Sequence, residues 1–228
     1  MGGGFNTAFS LATAVVNHSK RRKAKRRINR LNEQNRNIQL IGNSSPDQLI
    51  MSFPMDIEFT ERIISVYEDI NSEMASSLCS ALRVLARESD DDITIYMHSP
   101  GGDVRSGLYI YDVLKLLKCD VRIIACGMCA SMAAFLVAAG GTKGKRYIMP
   151  NAKMLIHQPI GGVQGQASDI RIHAQNILDE REGLNRILAE ACNQPKDRIE
   201  NDTERDKIFS AQAAVDYGLV DAIAQSLD

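Results

Sequence analysis

From residue 62 onward the apolar positions of this chain follow two rhythms in turn. A short apolar run at 63–67 gives way, after Asn71 or Ser72 as N-cap, to Met74, Leu78, Leu82 and Leu85 at helical spacing. The polar cluster at 89–92 ends that helix, residues 93–97 predict a buried strand, and Ser99-Pro100-Gly101-Gly102 predicts a sharp turn. Val104, Leu108, Tyr111, Leu114 and Leu117 mark the next helix, and residues 121–126 the next strand. Residues 130–139 are apolar on every side, the pattern of a helix inside a protein, and 154–156 read as a further short strand. The alternation predicts an α/β fold with a parallel sheet covered by helices. In such folds ligand chemistry collects at loops beyond the carboxyl ends of the strands.

The stretch 170–191 has a different pattern. Ile170, Ala174, Ile177, Leu184, Leu188 and Ala191 fall on a seven-residue rhythm that Arg181 interrupts, and the remaining face is polar and charged. Together with the preceding Gly161-Gly162-Val163-Gln164-Gly165, this predicts a handle at about 160–192. Its apolar stripe calls for cover from another subunit, or else from its own domain.

Composition narrows the class. With 44% hydrophobic and 24% charged residues the chain has ordinary globular usage, which excludes a wholly disordered or collagen-like protein. Five cysteines are an odd number, which argues against a secreted disulfide framework and for a reducing compartment. The near-zero net charge hides an asymmetry: residues 1–50 carry +7 and residues 51–228 carry −8. The basic head, dense between Lys20 and Arg30, reads as a flexible, solvated extension ahead of a folded domain at 51–228. Rival readings of the head are a nucleic-acid or membrane-surface contact, a transit peptide and a partner-binding arm. Between Phe9 and Phe53 it has no aromatic residue on which bases could stack, and its apolar run at 8–16 falls short of the roughly 20 residues of a bilayer span. A soluble protein without a nucleic-acid partner is expected.

Gly127-Met128-Cys129-Ala130-Ser131-Met132 places a serine where a strand gives way to a buried helix. Free backbone N–H groups at such a junction would stabilise an oxyanion beside Ser131, although a serine at a helix start is also the ordinary N-cap. Serine needs a base. Of the four histidines, His18 lies in the head, His98 in a strand and His173 in the long helix, whereas His157 ends an apolar run. His157 is the candidate base, with a structural histidine as the other reading. The orienting carboxylate would come from Asp202-Thr203-Glu204-Arg205-Asp206, among which composition does not choose. Cys126 and Cys129 form a C-x-x-C without a second ligand pair at zinc spacing, so no metal is expected and both read as small buried side chains.

The run 99–221 resembles the proteolytic subunits of the Clp protease, the ClpP family. The likeness rests on Ser99-Pro100-Gly101-Gly102, Cys129-Ala130-Ser131-Met132-Ala133-Ala134, Lys143-Gly144-Lys145-Arg146, Pro150-Asn151-Ala152, His157-Gln158-Pro159, Gly161-Gly162, Gln164-Gly165-Gln166-Ala167, Asp202-Thr203-Glu204-Arg205-Asp206 and Tyr217-Gly218-Leu219-Val220-Asp221, in that order, with a looser match over 62–97. The resemblance implies a ClpP/crotonase-like fold of stacked βαβ units with a projecting handle helix. It implies Ser131 as nucleophile, His157 as base, Asp206 as orienting carboxylate, and the N–H groups of Gly102 and Met132 as oxyanion hole. The glycine pair would then keep the approach of the substrate carbonyl clear. It further implies Arg205 and Gln166 as oligomer contacts, Tyr96 as part of an unfoldase docking pocket, and two stacked heptameric rings. An AAA+ unfoldase would deliver unfolded polypeptide and bind the ATP, since this chain has no G-x-x-x-x-G-K-[ST] motif. The expected compartment is the cytoplasm, or an organelle stroma or matrix.

The chain departs from the family pattern over 51–61, at Tyr67-Glu68 where two glycines are usual, at Thr94 where a second docking tyrosine is common, and at His98 in place of a common asparagine. Rival functions are a regulatory paralogue within a mixed ring and an acyl-CoA enzyme of the crotonase group. The intact Ser131, His157 and Asp206 argue against both.

Overall fold

The computed structural model describes residues 55–58 and 60–226. The basic head lies outside the described residues. Residues 55–58 and 62–226 belong to one compact unit.

Asn71 starts helix α1 (Ser72–Glu88) by accepting the Met74 N–H at 2.9 Å, and Met74, Leu78, Leu82 and Leu85 are buried on one face, as their spacing predicts. The far end is held from a distance in sequence. Arg62 donates to the carbonyls of Leu85, in the last turn, and of Asp91, just beyond the helix, at 2.8 Å each. Asp103 caps α2 (Val104–Leu116) through the Ser106 N–H at 2.7 Å.

Eight strands make one sheet: β1 (Met55–Glu58), β2 (Ile63–Val66), β3 (Ile93–Ser99), β4 (Val121–Ala130), β5 (Arg146–Ile148), β6 (Lys153–Ile156), β7 (Lys207–Ser210) and β8 (Ala222–Ile223). The main path runs β1-β2-β3-β4-β5-β8, parallel throughout except for the antiparallel edge pair β1–β2. The fold is the α/β type expected of the Clp protease likeness. Helices α1 and α2 follow β2 and β3 as crossovers.

Strand β4 forks the sheet. Its first half pairs with β5 through Ile123, Ile124 and Ala125, and its second half with β6 through Met128, Cys129 and Ala130. The break falls at Gly127, whose φ of +53° is a left-handed conformation that glycine tolerates best. The strand expected to end at 126 therefore continues to Ala130, because tertiary pairing with β6 supplies hydrogen-bond partners beyond the glycine. For the same reason the buried helix starts later than expected, as α3 (Met132–Phe135) followed by a π-helical segment (Leu136–Gly140).

Helix α4 (Ala167–Cys192) is the predicted long helix. Ile170, Ile172 and Leu178 in its first half are exposed, whereas Leu188, Ala189 and Cys192 in its last turns are buried against the domain. Of the stripe itself, Leu188 is covered by its own domain and Ile170 is open to solvent. Arg181 interrupts the stripe because it pairs with Glu204 at 2.8 Å. Short α5 (Lys196–Thr203) and α6 (Ala211–Tyr217) flank β7. The pattern did not predict β1, β5, β7, β8, α5 or α6, all of which are short.

Arg146 is 3% exposed and joins several of these elements. It pairs with Asp221 at 2.6 Å and donates to the carbonyls of Ala138, in the π segment, and Ala191, at the base of α4. Burial alone would raise the Asp221 carboxyl, but hydrogen bonds from Arg146 and from the amides of Arg146 and Gly144 outweigh it and hold the group below its usual range. The stabilisation is therefore fully present above the unfolded value of about 3.9 and is lost as pH falls through the lower folded value. Asp221→Asn should lower unfolding free energy at neutral pH by about 3–5 kcal/mol, because Arg146 is left buried without its counter-charge. It should also flatten the acid-side decline below about pH 4, with both effects read by urea unfolding across pH.

Candidate active site

Ser131 stands between the end of β4 and the start of α3, with φ 55° and ψ −124°. A non-glycine residue there costs about 1–3 kcal/mol, which persists only where the surroundings enforce it. Here they do so through two backbone bonds: the Ser131 N–H donates to the Leu155 carbonyl at 2.9 Å, and its carbonyl accepts from Phe135 at 3.0 Å. The side chain makes no capping bond, so the ordinary N-cap reading of this serine fails.

The Ser131 Oγ lies 2.8 Å from Nε2 of His157, the residue that follows β6. On the other side of the ring, Nδ1 lies 3.1 Å from Oδ1 of Asp206. A proton on Nδ1 donated to the carboxylate leaves Nε2 free to accept the serine hydroxyl, so one tautomer satisfies both contacts. The His157 side chain is 19% exposed and that of Asp206 is 69% exposed.

The three carboxylates of the acidic motif divide cleanly. Asp202 accepts from Lys207 at 2.5 Å and from the Tyr217 hydroxyl at 2.8 Å. Burial would raise its pKa, but these two donors outweigh burial and lower it. Glu204 pairs with Arg181, and Asp206 meets His157. The two loops are also tied directly: the Gln158 N–H donates to the Thr203 carbonyl at 2.6 Å, and its side-chain amide to the Glu204 carbonyl at 3.0 Å.

Beside the serine lie the amide of Met132 and the backbone of Gly101, which leads into Gly102. Met132 is the first residue of α3, so its N–H has no acceptor within the helix. Gly102 forms a parallel bridge with Ile70, in which Ile70 donates to Gly101 and Asp103 donates to Ile70. That bridge uses the neighbours of Gly102 and leaves its own N–H directed away from Ile70. The structure gives the glycine pair a reason other than clearance for substrate. A Cβ on Gly101, at φ +96°, would lie 2.7 Å from Ser131 Cβ and 2.9 Å from Met132 N, and one on Gly102, at φ +147°, would strike the Ile70 carbonyl. Backbone packing therefore demands both glycines.

A small pocket opens next to Ser131 and His157, with Val104, Phe135, Ile156, Leu184 and Leu188 as apolar walls and Asn185 and Thr203 as polar lining. The sequence pattern assigned Leu184 and Leu188 to the helix stripe alone. Their share in this pocket had a signal only in their place at the base of α4, where the stripe resumes after Arg181.

The remaining predicted residues lie apart from this constellation. Tyr96, on β3, is half-buried and in register with Ser65 and Ile124. Gln166 precedes α4 and accepts the Ile170 N–H through its carbonyl at 2.9 Å. Arg205 is exposed, with no hydrogen bond or ion pair among the described residues. Of the C-x-x-C pair, Cys129 is fully buried and donates to the Met97 carbonyl at 2.9 Å. Burial pushes the thiols of Cys126 and Cys129 up to about 11 and about 12, so both stay protonated at neutral pH.

Residues 52–227 match the family described as Clp protease. The match spans the whole sheet, every helix described above and the loops that bring Ser131, His157 and Asp206 together. On that match the chain belongs to the Clp protease family, as a ClpP-type peptidase.

Proposed function

We propose that the chain is a serine-type endopeptidase in which Ser131, His157 and Asp206 act as the catalytic triad. The observation that carries the reading is the unbroken relay from Oγ to imidazole to carboxylate, at 2.8 Å and 3.1 Å, within a single chain. Ser131 Oγ attacks the peptide carbonyl as His157 Nε2 takes its proton. The resulting oxyanion accepts hydrogen bonds from the N–H groups of Gly102 and Met132. Collapse breaks the C–N bond, His157 returns the proton to the leaving amine, and water, activated by the same imidazole, releases the acyl group. Asp206 holds the Nδ1 proton and favours the imidazolium formed on the way. The apolar pocket beside Ser131 receives the side chain on the acyl side of the scissile bond, so an uncharged apolar residue is favoured there.

By family likeness, seven subunits form a ring and two rings stack through their handles. The exposed Ile170, Ile172 and Leu178 on the outer half of α4 support that arrangement, since apolar side chains left in solvent there call for cover. Tyr96 contributes to docking of an AAA+ unfoldase that consumes the ATP and feeds unfolded chains, and Arg205 and Gln166 contribute to ring contacts. Among the described residues no helix is long and apolar enough to cross a membrane; by family likeness the compartment is the cytoplasm.

Ser131→Ala and His157→Ala are each expected to abolish cleavage of a fluorogenic peptide and labelling of residue 131 by a fluorophosphonate, the latter read by intact mass. Asp206→Asn should reduce turnover by less than the roughly 10⁴-fold seen where the orienting aspartate is buried, because solvent screens this exposed carboxylate. Gly101→Ala should impair fluorophosphonate labelling while circular dichroism is retained, since its Cβ displaces Ser131. Peptides with Leu or Met on the acyl side should exceed those with Asp or Lys by at least about tenfold in kcat/KM. Leu184→Trp should raise KM for the former by filling the pocket.

A further inference from the structure

The parallel ladder between β3 and β4 is interrupted just before the serine. Met97 pairs with Ala125 and Ser99 with Cys129, so His98 alone faces Cys126, Gly127 and Met128. Beyond this bulge β4 is flanked by β3 on one side and β6 on the other. The Ser131 N–H points to β6, where it meets Leu155, and alternation therefore directs the Met128 N–H toward β3. No β3 carbonyl is in register to accept it. Instead the Met128 N–H donates to Nδ1 of His98 at 3.1 Å. The same nitrogen lies 3.2 Å from the Cys126 carbonyl, and the ring covers Gly127 so closely that a Cβ there would lie 2.8 Å from Nδ1. One imidazole thus spans the three bulged residues. Nδ1 serves the Met128 N–H or the Cys126 carbonyl, one at a time. A neutral ring with its proton on Nε2 presents the acceptor that Met128 requires, and the Cys126 carbonyl is then a contact and not a hydrogen-bond partner.

The segment that carries His98 continues into Gly101, whose α-carbon packs against Ala130, Ser131 and Met132. The strand leading to the serine is therefore held to the 98–101 segment at three points: through the His98 side chain within the bulge, through the Ser99–Cys129 ladder pair, and through backbone packing of Gly101 at the serine. We propose that His98 is a positioning residue for hydrolysis, an acceptor that replaces a missing ladder carbonyl and fixes the approach of β4 to Ser131. The proposal rests on the peptidase reading above. An asparagine in this position would place its Oδ1 about where Nδ1 now sits, so His98→Asn retains the acceptor and His98→Ala removes it. His98 is exposed, so neither substitution opens the core.

The test is made on the full-length assembled protein, with steady-state peptide hydrolysis, fluorophosphonate labelling of Ser131 and amide-resolved hydrogen exchange. His98→Ala should lower kcat on the order of tenfold with KM within about twofold, slow the labelling, and accelerate exchange at Met128. His98→Asn should restore all three. Unchanged exchange at Met128 in His98→Ala overturns the proposal, even if kcat falls, because the ring would then act on substrate. Accelerated exchange with unchanged kcat and labelling overturns it as well. A wild-type chain that neither hydrolyses peptide nor labels at Ser131 overturns the peptidase reading, and with it the positioning role, while protection at Met128 lost in Ala and kept in Asn would leave the hydrogen bond itself standing.

Discussion

Strand β4 has to pair with two different strands, β5 and then β6, along its length. Its first half completes a parallel sheet with β3 and β5, and its second half, past Gly127, pairs with β6. A continuous ladder cannot serve both, so the strand bends where a glycine allows φ +53°, and three residues bulge opposite one. The chain leaves this fork at Ser131 in a backbone conformation that a free peptide avoids, held there by Leu155 on one side and Gly101 on the other. The relay, the flanking amides and the pocket all take their positions from that exit.

The other members of the relay arrive on loops that are fastened independently. His157 follows β6, the strand that anchors Ser131, so the two residues share one piece of framework. Asp206 precedes β7, which pairs antiparallel with β6, and the intervening segments are joined through Gln158 to the backbone at Thr203 and Glu204. Asp202 is occupied by Lys207 and Tyr217, and Glu204 by Arg181 of the long helix. The motif therefore supplies one carboxylate to the imidazole and uses the other two to hold its own shape. Through Arg181 and Glu204 the base of the handle touches the loop that carries Asp206.

Much of the framework was readable in advance. The helical spacing of Met74, Leu78, Leu82 and Leu85 and the strand at 93–97 correspond to elements in which burial follows the apolar pattern directly, whereas the long helix after Gly165 does so only in its last turns. The short elements were not readable. β5 has three residues and α6 has seven, too few for a period to declare itself; β5 exists because β4 and β8 complete its hydrogen bonds, and α6 because Ser210 caps it and Ala214 and Tyr217 are buried against the domain. The later start of the buried helix has the same origin: an apolar run does not reveal that its first residues are claimed by β6.

For the site, the ordering of the motifs and the residue types within them pointed to a serine, a histidine and an acidic cluster, since nucleophile, base and orienter each require particular side chains. Composition left the carboxylate open and only the family resemblance singled out Asp206, whereas why two glycines are needed beside the serine and that His98 completes the ladder were decided by the fold alone. Each depends on distances between segments 26 to 49 residues apart in the chain, for the relay itself, and a linear pattern encodes the chemistry of a side chain but not the partner that packing brings to it.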